Sequence, residues 1–173
     1  LDLGFGAELE RLLQLLPLTR QTLLFSATMP APIAALATRL LRAPRRIGEN
    51  ADAAPIPATL RQRAIEVDAG RRLALLRHLL EQEAWPRALV FVASRRDAER
   101  VATALAKAGI AAQPLHGELA QGRRQRTLDA FRQQQLRVLV TTDLAARGID
   151  IAALPVVVNY DLPRSTADYT HRI

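Results

Sequence analysis

The chain has 173 residues, no cysteine and a formal net charge of +7, and Lys107 is the only lysine among its 24 basic residues. The lack of cysteine excludes a disulfide framework and a thiolate metal site, and no apolar run approaches the roughly 20 residues that span a bilayer. Because no signal peptide is visible either, we expect a cytoplasmic protein, and its excess of arginine suits a polyanionic partner.

Residues 1–47 predict two helices and one strand. Apolar positions at helical spacing predict a helix near residues 7–16, and the run QTLLFSA at residues 21–27 predicts a strand. A second helix follows, with Pro30 and Pro32 in its first turn, where proline is tolerated. This is too little to make a complete sheet, so apolar surface is expected to stay uncovered here.

A linker is predicted at residues 48–59, GENADAAPIPAT, where proline, alanine and small polar residues replace the periodic apolar positions. It separates residues 1–47 from residues 60–173.

Residues 60–173 alternate strand and helix patterns four times. The apolar runs end near Ser94, His116, Thr142 and Asp161, and a helical segment follows each. Strands and helices at this spacing form right-handed crossover units, so we predict an α/β fold with a parallel sheet and helices on both faces. In the first of these helices the expected buried stripe is Ala98, Val101, Ala102 and Leu105, and Gly109 stops the helix.

Parallel strands place the loops that follow them on one edge of the sheet, where ligands settle. Arginine, threonine and glycine amides bind phosphates. The polar residues expected at this edge are Arg95, His116, Arg124, Thr142, Arg147, Asp150 and Asp161.

Each of these positions also has an ordinary structural interpretation. Ser94, Thr142 or Asp143 can cap a helix, His116 can be a satisfied turn residue, and Asp150 can form an ion pair. Four arginines surround one helix and cannot all face one ligand, namely Arg123, Arg124, Arg126 and Arg132. Gln121 and Arg124, three residues apart, share a face, and we predict phosphate contact for that pair.

Several motifs, in family order, resemble the DEAD-box RNA helicases of superfamily 2 over nearly the whole chain. LDLGF at residues 1–5 resembles the segment just after the DEAD signature. Ser26, Ala27 and Thr28 resemble the SAT of motif III.

The remaining motifs lie beyond the linker. LVFVAS resembles motif IV, and HGELAQGRRQRTLDAF resembles its extension, with the Q-x-x-R element at Gln121 and Arg124. TTDLAARGIDI resembles motif V, and NYDLP with YTHRI resembles the segment leading into motif VI.

The resemblance implies a RecA-like fold and an ATP-driven RNA helicase. Residues 1–47 would be the last part of a first RecA-like domain, and residues 60–173 a second RecA-like domain truncated at its end. In such a protein the two domains close over ATP, Mg²⁺ and RNA, and one RNA strand is bent so that a short duplex separates or a ribonucleoprotein is remodelled.

The resemblance also implies roles for individual residues. Ser26 and Thr28 would couple the nucleotide site to strand separation, and Arg147, His171 and Arg172 would serve catalysis. Gly148 and Asp150 would approach the nucleotide, and Asp143 and Asp161 would bridge the domains. RNA phosphates would be held by Arg95, Gly117, Gln121, Arg124 and Thr142, without reading the RNA sequence.

Parts that ATP hydrolysis needs in this family are not found in the sequence. Lys107 follows no glycine-rich loop, so no phosphate-binding loop is present. The DEAD carboxylates that manage Mg²⁺ and the later arginines of motif VI, which include the arginine fingers, are absent as well. We therefore expect this chain to be a fragment that is inactive alone and binds no metal itself.

Two other functions fit the residues less well. One is a stand-alone RNA-binding or regulatory module of the same fold, and the other is a helicase of superfamily 2 that acts on DNA. The incomplete sheet of residues 1–47 argues against the first, and the combination of motifs argues against the second. The sequence does not indicate the RNA target, the pathway or the protein partners.

Overall fold

The structure is a computed structural model that describes residues 6–26, 29, 31–47, 59–146 and 154–172. The chain divides into two compact units, residues 1–61 and residues 62–173. No helix in the described ranges is long and apolar enough to cross a membrane.

The first unit contains two helices, α1 (Gly6–Leu15) and α2 (Ala31–Leu40). The strand predicted at residues 21–27 is wrong for the described residues 21–26, which form no strand. A strand is held by hydrogen bonds to a neighbouring strand, and the described part of this unit supplies none. Leu23 and Phe25 are accordingly exposed, and Ala37 is the one buried hydrophobic residue described in this unit.

The second unit contains four strands and five helices among its described residues. In chain order they are α3 (Arg72–Gln82), β1 (Ala88–Phe91), α4 (Arg95–Lys107), β2 (Ala112–Leu115), α5 (Gln121–Arg132), β3 (Val138–Thr141), α6 (Asp143–Ala146), β4 (Val157–Asn159) and α7 (Thr166–Arg172). A short 3-10 turn, Ala69–Arg71, precedes α3.

The four strands form one parallel sheet in the order β2-β3-β1-β4. β1 lies in register with β3 from Ala88 opposite Val138 to Phe91 opposite Thr141. These two central strands are buried along their whole length, as expected for parallel strands covered on both faces. The predicted parallel α/β fold is confirmed, and the loops after the four strands lie at one edge.

Helices pack on both faces of this sheet because successive strand residues point to opposite sides. Ala88, Val90 and Val92 face a core cluster that includes residues of α3 and α4, whereas Leu89 and Phe91 face a second cluster with α5 and α6. Trp85 packs against the first cluster.

The apolar stripe predicted for α4 is confirmed. Its four residues are all buried, and Gly109 follows the helix with φ of +80°, a conformation that favours glycine. The buried residues of the stripe are Ala98, Val101, Ala102 and Leu105.

Candidate nucleic-acid interface at the carboxyl edge of the sheet

The carboxyl ends of the four strands bring the predicted polar loops together. Ser94 follows β1, Gly117 follows β2, Thr142 follows β3 and Asp161 follows β4. The predicted site residues Thr28, Arg147, Gly148 and Asp150 lie outside the described residues.

Arg172, near the end of α7, is the centre of this edge. Its Nε and Nη2 donate to the two carboxylate oxygens of Asp143 at 2.5 and 2.8 Å. Its Nη1 donates to Asn159 Oδ1 at 2.7 Å and to the carbonyl of Asp161 at 2.8 Å. The guanidinium carbon lies 4.7 Å from the centre of the Phe91 ring. One side chain therefore ties α6 to the ends of β1 and β4.

The burial of Arg172 decides what it can contact. Its side chain is only 3% exposed, and four of its five N–H groups are already used. In this arrangement the guanidinium links α7 to α6 and to the ends of β1 and β4, and it is too buried to contact a phosphate. We therefore describe Arg172 as a positioning residue; the catalytic contact that the resemblance implies for it stays a prediction. His171, next to it, is exposed.

Asp161 extends the same network towards α3. Its carboxylate accepts from Arg72 Nη1 and from the backbone N–H of Ala93, both at 2.9 Å, and its own N–H donates to the carbonyl of Phe91 at 3.1 Å. The resemblance implies that Asp143 and Asp161 bridge two domains. In the structure both carboxylates form hydrogen bonds inside the second unit, and the bridging role stays a prediction.

The residues predicted to hold phosphates line α5 and its neighbours. Gln121 begins α5 and is exposed, and Gly117 has open space where a side chain would project. Arg124 is half-buried, and its Nη2 donates to the carbonyl of Ala145 in α6 at 2.9 Å, which leaves its other N–H groups for a ligand. Arg95, exposed, forms an ion pair with Glu118.

His116 is more deeply embedded than a turn residue needs to be. It is buried, and its Nε2 lies 2.9 Å from Glu99 Oε1. Its Nδ1 is buried and has no hydrogen-bond partner among the described residues. The ring therefore fixes the loop after β2 against α4.

Ser94 begins α4 through a reciprocal cap. Its Oγ accepts from the backbone N–H of Asp97 at 3.1 Å and donates to Asp97 Oδ2 at 2.6 Å. That hydrogen bond, followed by those from Arg100, lowers the pKa of Asp97 below its usual value. The interpretation of Ser94 as a helix cap is confirmed.

This cap makes the stability of the second unit depend on pH. A carboxylate whose pKa is lowered in the folded protein stabilises it above the unfolded pKa, and the stabilisation is lost as pH falls through the folded pKa. We expect Asp97→Asn to lower the free energy of unfolding by about 1 kcal/mol at neutral pH and to flatten its fall as the pH drops below about 5. Urea unfolding measured across this range checks it; an unchanged pH profile would contradict the assignment.

Ser26 lies in an apolar cavity of the first unit of about 350 Å³, lined also by Leu23, Phe25 and Leu36. Thr28, the other residue of the predicted coupling pair, lies outside the described residues.

The described residues do not form a magnesium site. Mg²⁺ requires oxygen ligands, chiefly carboxylates, in octahedral geometry. Asp143 and Asp161 are each held by an arginine, and the described part of the chain contains no cluster of three potential ligands. The metal therefore does not fit here, and no chemical step is assigned to it.

Sequence reasoning missed Asn159, Arg72 and the ring of Phe91 as parts of this edge. The position of Asn159 at the end of β4 was a usable signal, because polar residues there lie at the ligand-binding edge. Nothing in the sequence distinguished Arg72 from the other arginines.

Residues 71–173 match the helicase conserved C-terminal domain. The chain is 38% identical over 173 residues to the DEAD-box ATP-dependent RNA helicase CshA of Geobacillus kaustophilus, covering 100% of this chain and 37% of that protein. The chain thus spans little more than a third of the length of this relative.

Solved structures agree with this similarity. A DEAD box protein from Methanococcus jannaschii is 34% identical with a TM-score of 0.64, covering 99% of this chain and 46% of that one. Dbp5 of S. cerevisiae, bound to RNA and ADP BeF3, is 28% identical with a TM-score of 0.75, covering 98% of this chain and 45% of that one.

Proposed function

Because the chain belongs to the DEAD-box family of ATP-dependent RNA helicases, we propose that it works within a longer helicase that uses ATP to separate short RNA duplexes or to remodel ribonucleoproteins. The RecA-like sheet of the second unit forms one wall of the RNA and nucleotide sites. Residues 1–47 belong to the first RecA-like domain, and residues 48–59 link the two.

The observation that carries this proposal is the position of α6. Arg124, on the helix proposed to face RNA, donates to the carbonyl of Ala145. Arg172 holds Asp143 at the start of the same short helix. The chain that leaves α6 leads through Arg147 to Gly148 and Asp150, the proposed nucleotide-facing residues. Contacts from α5 and α7 thus hold α6 on both sides. A displacement of α6 caused by one ligand therefore changes the position of the residues that contact the other ligand.

RNA phosphates are proposed to contact Arg95, Gly117, Gln121, Arg124 and Thr142. Arg124 contributes the N–H groups that it does not donate to Ala145, and Gly117 allows close approach of the backbone. Arg95 exchanges Glu118 for a phosphate, because an ion pair this exposed contributes little. These contacts bind the backbone and carry no base specificity.

ATP with Mg²⁺ is proposed as the cofactor of the longer protein, whose two RecA-like domains would close over it. This chain's own part would be to present Gly148 and Asp150 to the nucleotide and to link domains through Ser26, Thr28 and Arg147. The sequence lacks a phosphate-binding loop, because Lys107 follows none. We therefore propose that the isolated chain binds RNA but does not hydrolyse ATP.

The proposal is tested by the salt dependence of RNA binding. If Arg95 and Arg124 each neutralise one phosphate of a single strand, affinity for oligo-uridine falls about sevenfold between 50 and 200 mM KCl. Fluorescence anisotropy of the labelled oligonucleotide measures it. An affinity that does not change with salt would refute the phosphate contacts.

The same titration with the matching DNA strand separates the alternatives. An RNA helicase domain is expected to bind the ribose strand more tightly, since the 2′-hydroxyl distinguishes RNA from DNA. Equal binding would favour a helicase directed at DNA. ATP hydrolysis above the blank by the isolated chain would contradict the proposal that this chain does not hydrolyse ATP on its own.

A further inference from the structure

A groove of about 980 Å³ runs along the outer edge of the sheet, away from the proposed RNA edge. Its floor is β2, and its walls are the facing sides of α4 and α5. Small side chains keep it wide, because four alanines line it. These are Ala102, Ala106, Ala112 and Ala130.

Three cations stand at the rim of this groove. Lys107 comes from the end of α4, and Arg123 and Arg126 come from α5; all three are exposed. None of them makes an ion pair with an acid in the ranges that the structure describes.

The two acids of the groove are already engaged. Asp129 pairs with Arg132 and accepts from Gln125, and Glu99 binds His116. The groove therefore offers unbalanced positive charge to a ligand.

The floor also offers backbone hydrogen-bonding groups. Among the described strands, β2 pairs with β3 alone and forms an edge of the sheet. The carbonyl of Ala111 accepts from the N–H of Val138, and parallel strands alternate the direction of these groups. Ala112 consequently directs its N–H and carbonyl into the groove, whereas Pro114 offers a carbonyl and no N–H.

We propose that this groove docks an extended, acidic segment of a partner protein. The carboxylates pair with the three cations, the backbone bonds to Ala112, and small side chains pack between the alanines. Amide side chains at Gln113, Gln133 and Gln135 supply further hydrogen bonds to a peptide backbone.

A nucleic acid fits these features less well. The groove lining contains no aromatic residue on which a base could stack. Glu99 and Asp129 would repel an uninterrupted row of phosphates, but a peptide can place uncharged residues opposite them.

The groove and the RNA edge lie on different sides of α5. At 100° per residue, Arg123 and Arg126 are turned well away from Gln121 and Arg124. A docked segment therefore leaves the proposed RNA contacts free, and the inference does not depend on the proposed function.

Lys107 makes the test site-specific, because it is the only side-chain amine in the chain. The probe is an acetylated octapeptide with glutamate at alternate positions and alanine or valine between, in which one carboxylate is converted to its succinimidyl ester and the others stay charged. When the probe docks, the Lys107 amine attacks the ester carbonyl, an amide forms, and hydroxysuccinimide leaves with loss of a proton from the amine. Mass spectrometry of tryptic peptides then quantifies the adduct at Lys107.

We expect the adduct at Lys107 to form about tenfold more slowly in Arg123→Ala/Arg126→Ala, and to be suppressed by unactivated glutamate peptide but not by its glutamine counterpart. Arg77→Ala, an exposed arginine on α3, is the matched control and is expected to change nothing. Labelling unaffected by the double substitution, or suppressed equally by the glutamate and glutamine peptides, would overturn the proposal. Suppression by oligo-uridine would assign the groove to nucleic acid instead.

Discussion

Replacing Arg172 with alanine is expected to lower the free energy of unfolding of the second unit by about 3 kcal/mol. The substitution removes two hydrogen bonds to the Asp143 carboxylate, two to oxygens at the end of β4, and the contact with the Phe91 ring. Loss of one partner from a buried ion pair costs more than this when the other charge stays buried. Asp143 is 42% exposed, so water can solvate its carboxylate once Arg172 is removed. The expected loss of stability therefore lies at the low end of the range for a broken buried ion pair.

Trp85 provides the measurement, since it is the only tryptophan and packs against the core of the second unit. Urea unfolding followed by its fluorescence reports this unit specifically. Arg164→Ala, an exposed arginine before α7, is the control and is expected to stay within about 0.5 kcal/mol of the original protein. If both substitutions have equal effects, Arg172 is not the centre of the edge.

Replacing Arg124 with alanine is expected to weaken binding of single-stranded RNA by about 2 kcal/mol, close to thirtyfold in Kd. The side chain lies on the same face as Gln121 and is oriented by the carbonyl of Ala145, so it meets a phosphate without first being ordered. The slope of log affinity against log salt is expected to fall by about 0.7, because one fewer phosphate is neutralised.

Arg126→Ala is the matched control, because it removes the same charge from the opposite side of the same helix. It is expected to leave RNA affinity within about twofold. Arg124→Lys keeps the charge but loses the planar fork, so it is expected to recover only part of the affinity. Equal losses for Arg124→Ala and Arg126→Ala would show that general charge, and not this position, determines binding.

The alternation of strand and helix patterns was sufficient to predict the second unit. The central strands are continuous apolar runs, and α4 shows its buried stripe at helical spacing. The local sequence therefore predicts both the burial of these strands and the buried face of the helix. The common direction of the strands followed from the handedness of the crossovers. The placement of Gln121 and Arg124 on one face followed from helix geometry alone.

The first unit shows where local pattern fails. QTLLFSA has the composition of a strand, yet the described residues 21–26 form no strand. Strand propensity measures the fit to a pleated and partly buried surface rather than a preference of the isolated backbone. Without neighbouring strands, the apolar side chains Leu23 and Phe25 remain exposed.

The amino-acid sequence alone determined the fold class, the family resemblance and the edge of the sheet at which ligands are expected, because these depend on spacing and on motif order. Only the tertiary structure decided which polar side chains at that edge turn inward. Arg172 is 29 residues from Asp143 and 13 from Asn159 in the chain, and its burial between them arises when β3, β4 and α7 pack together. A contact of that kind depends on the positions of distant backbone segments, which no local pattern encodes.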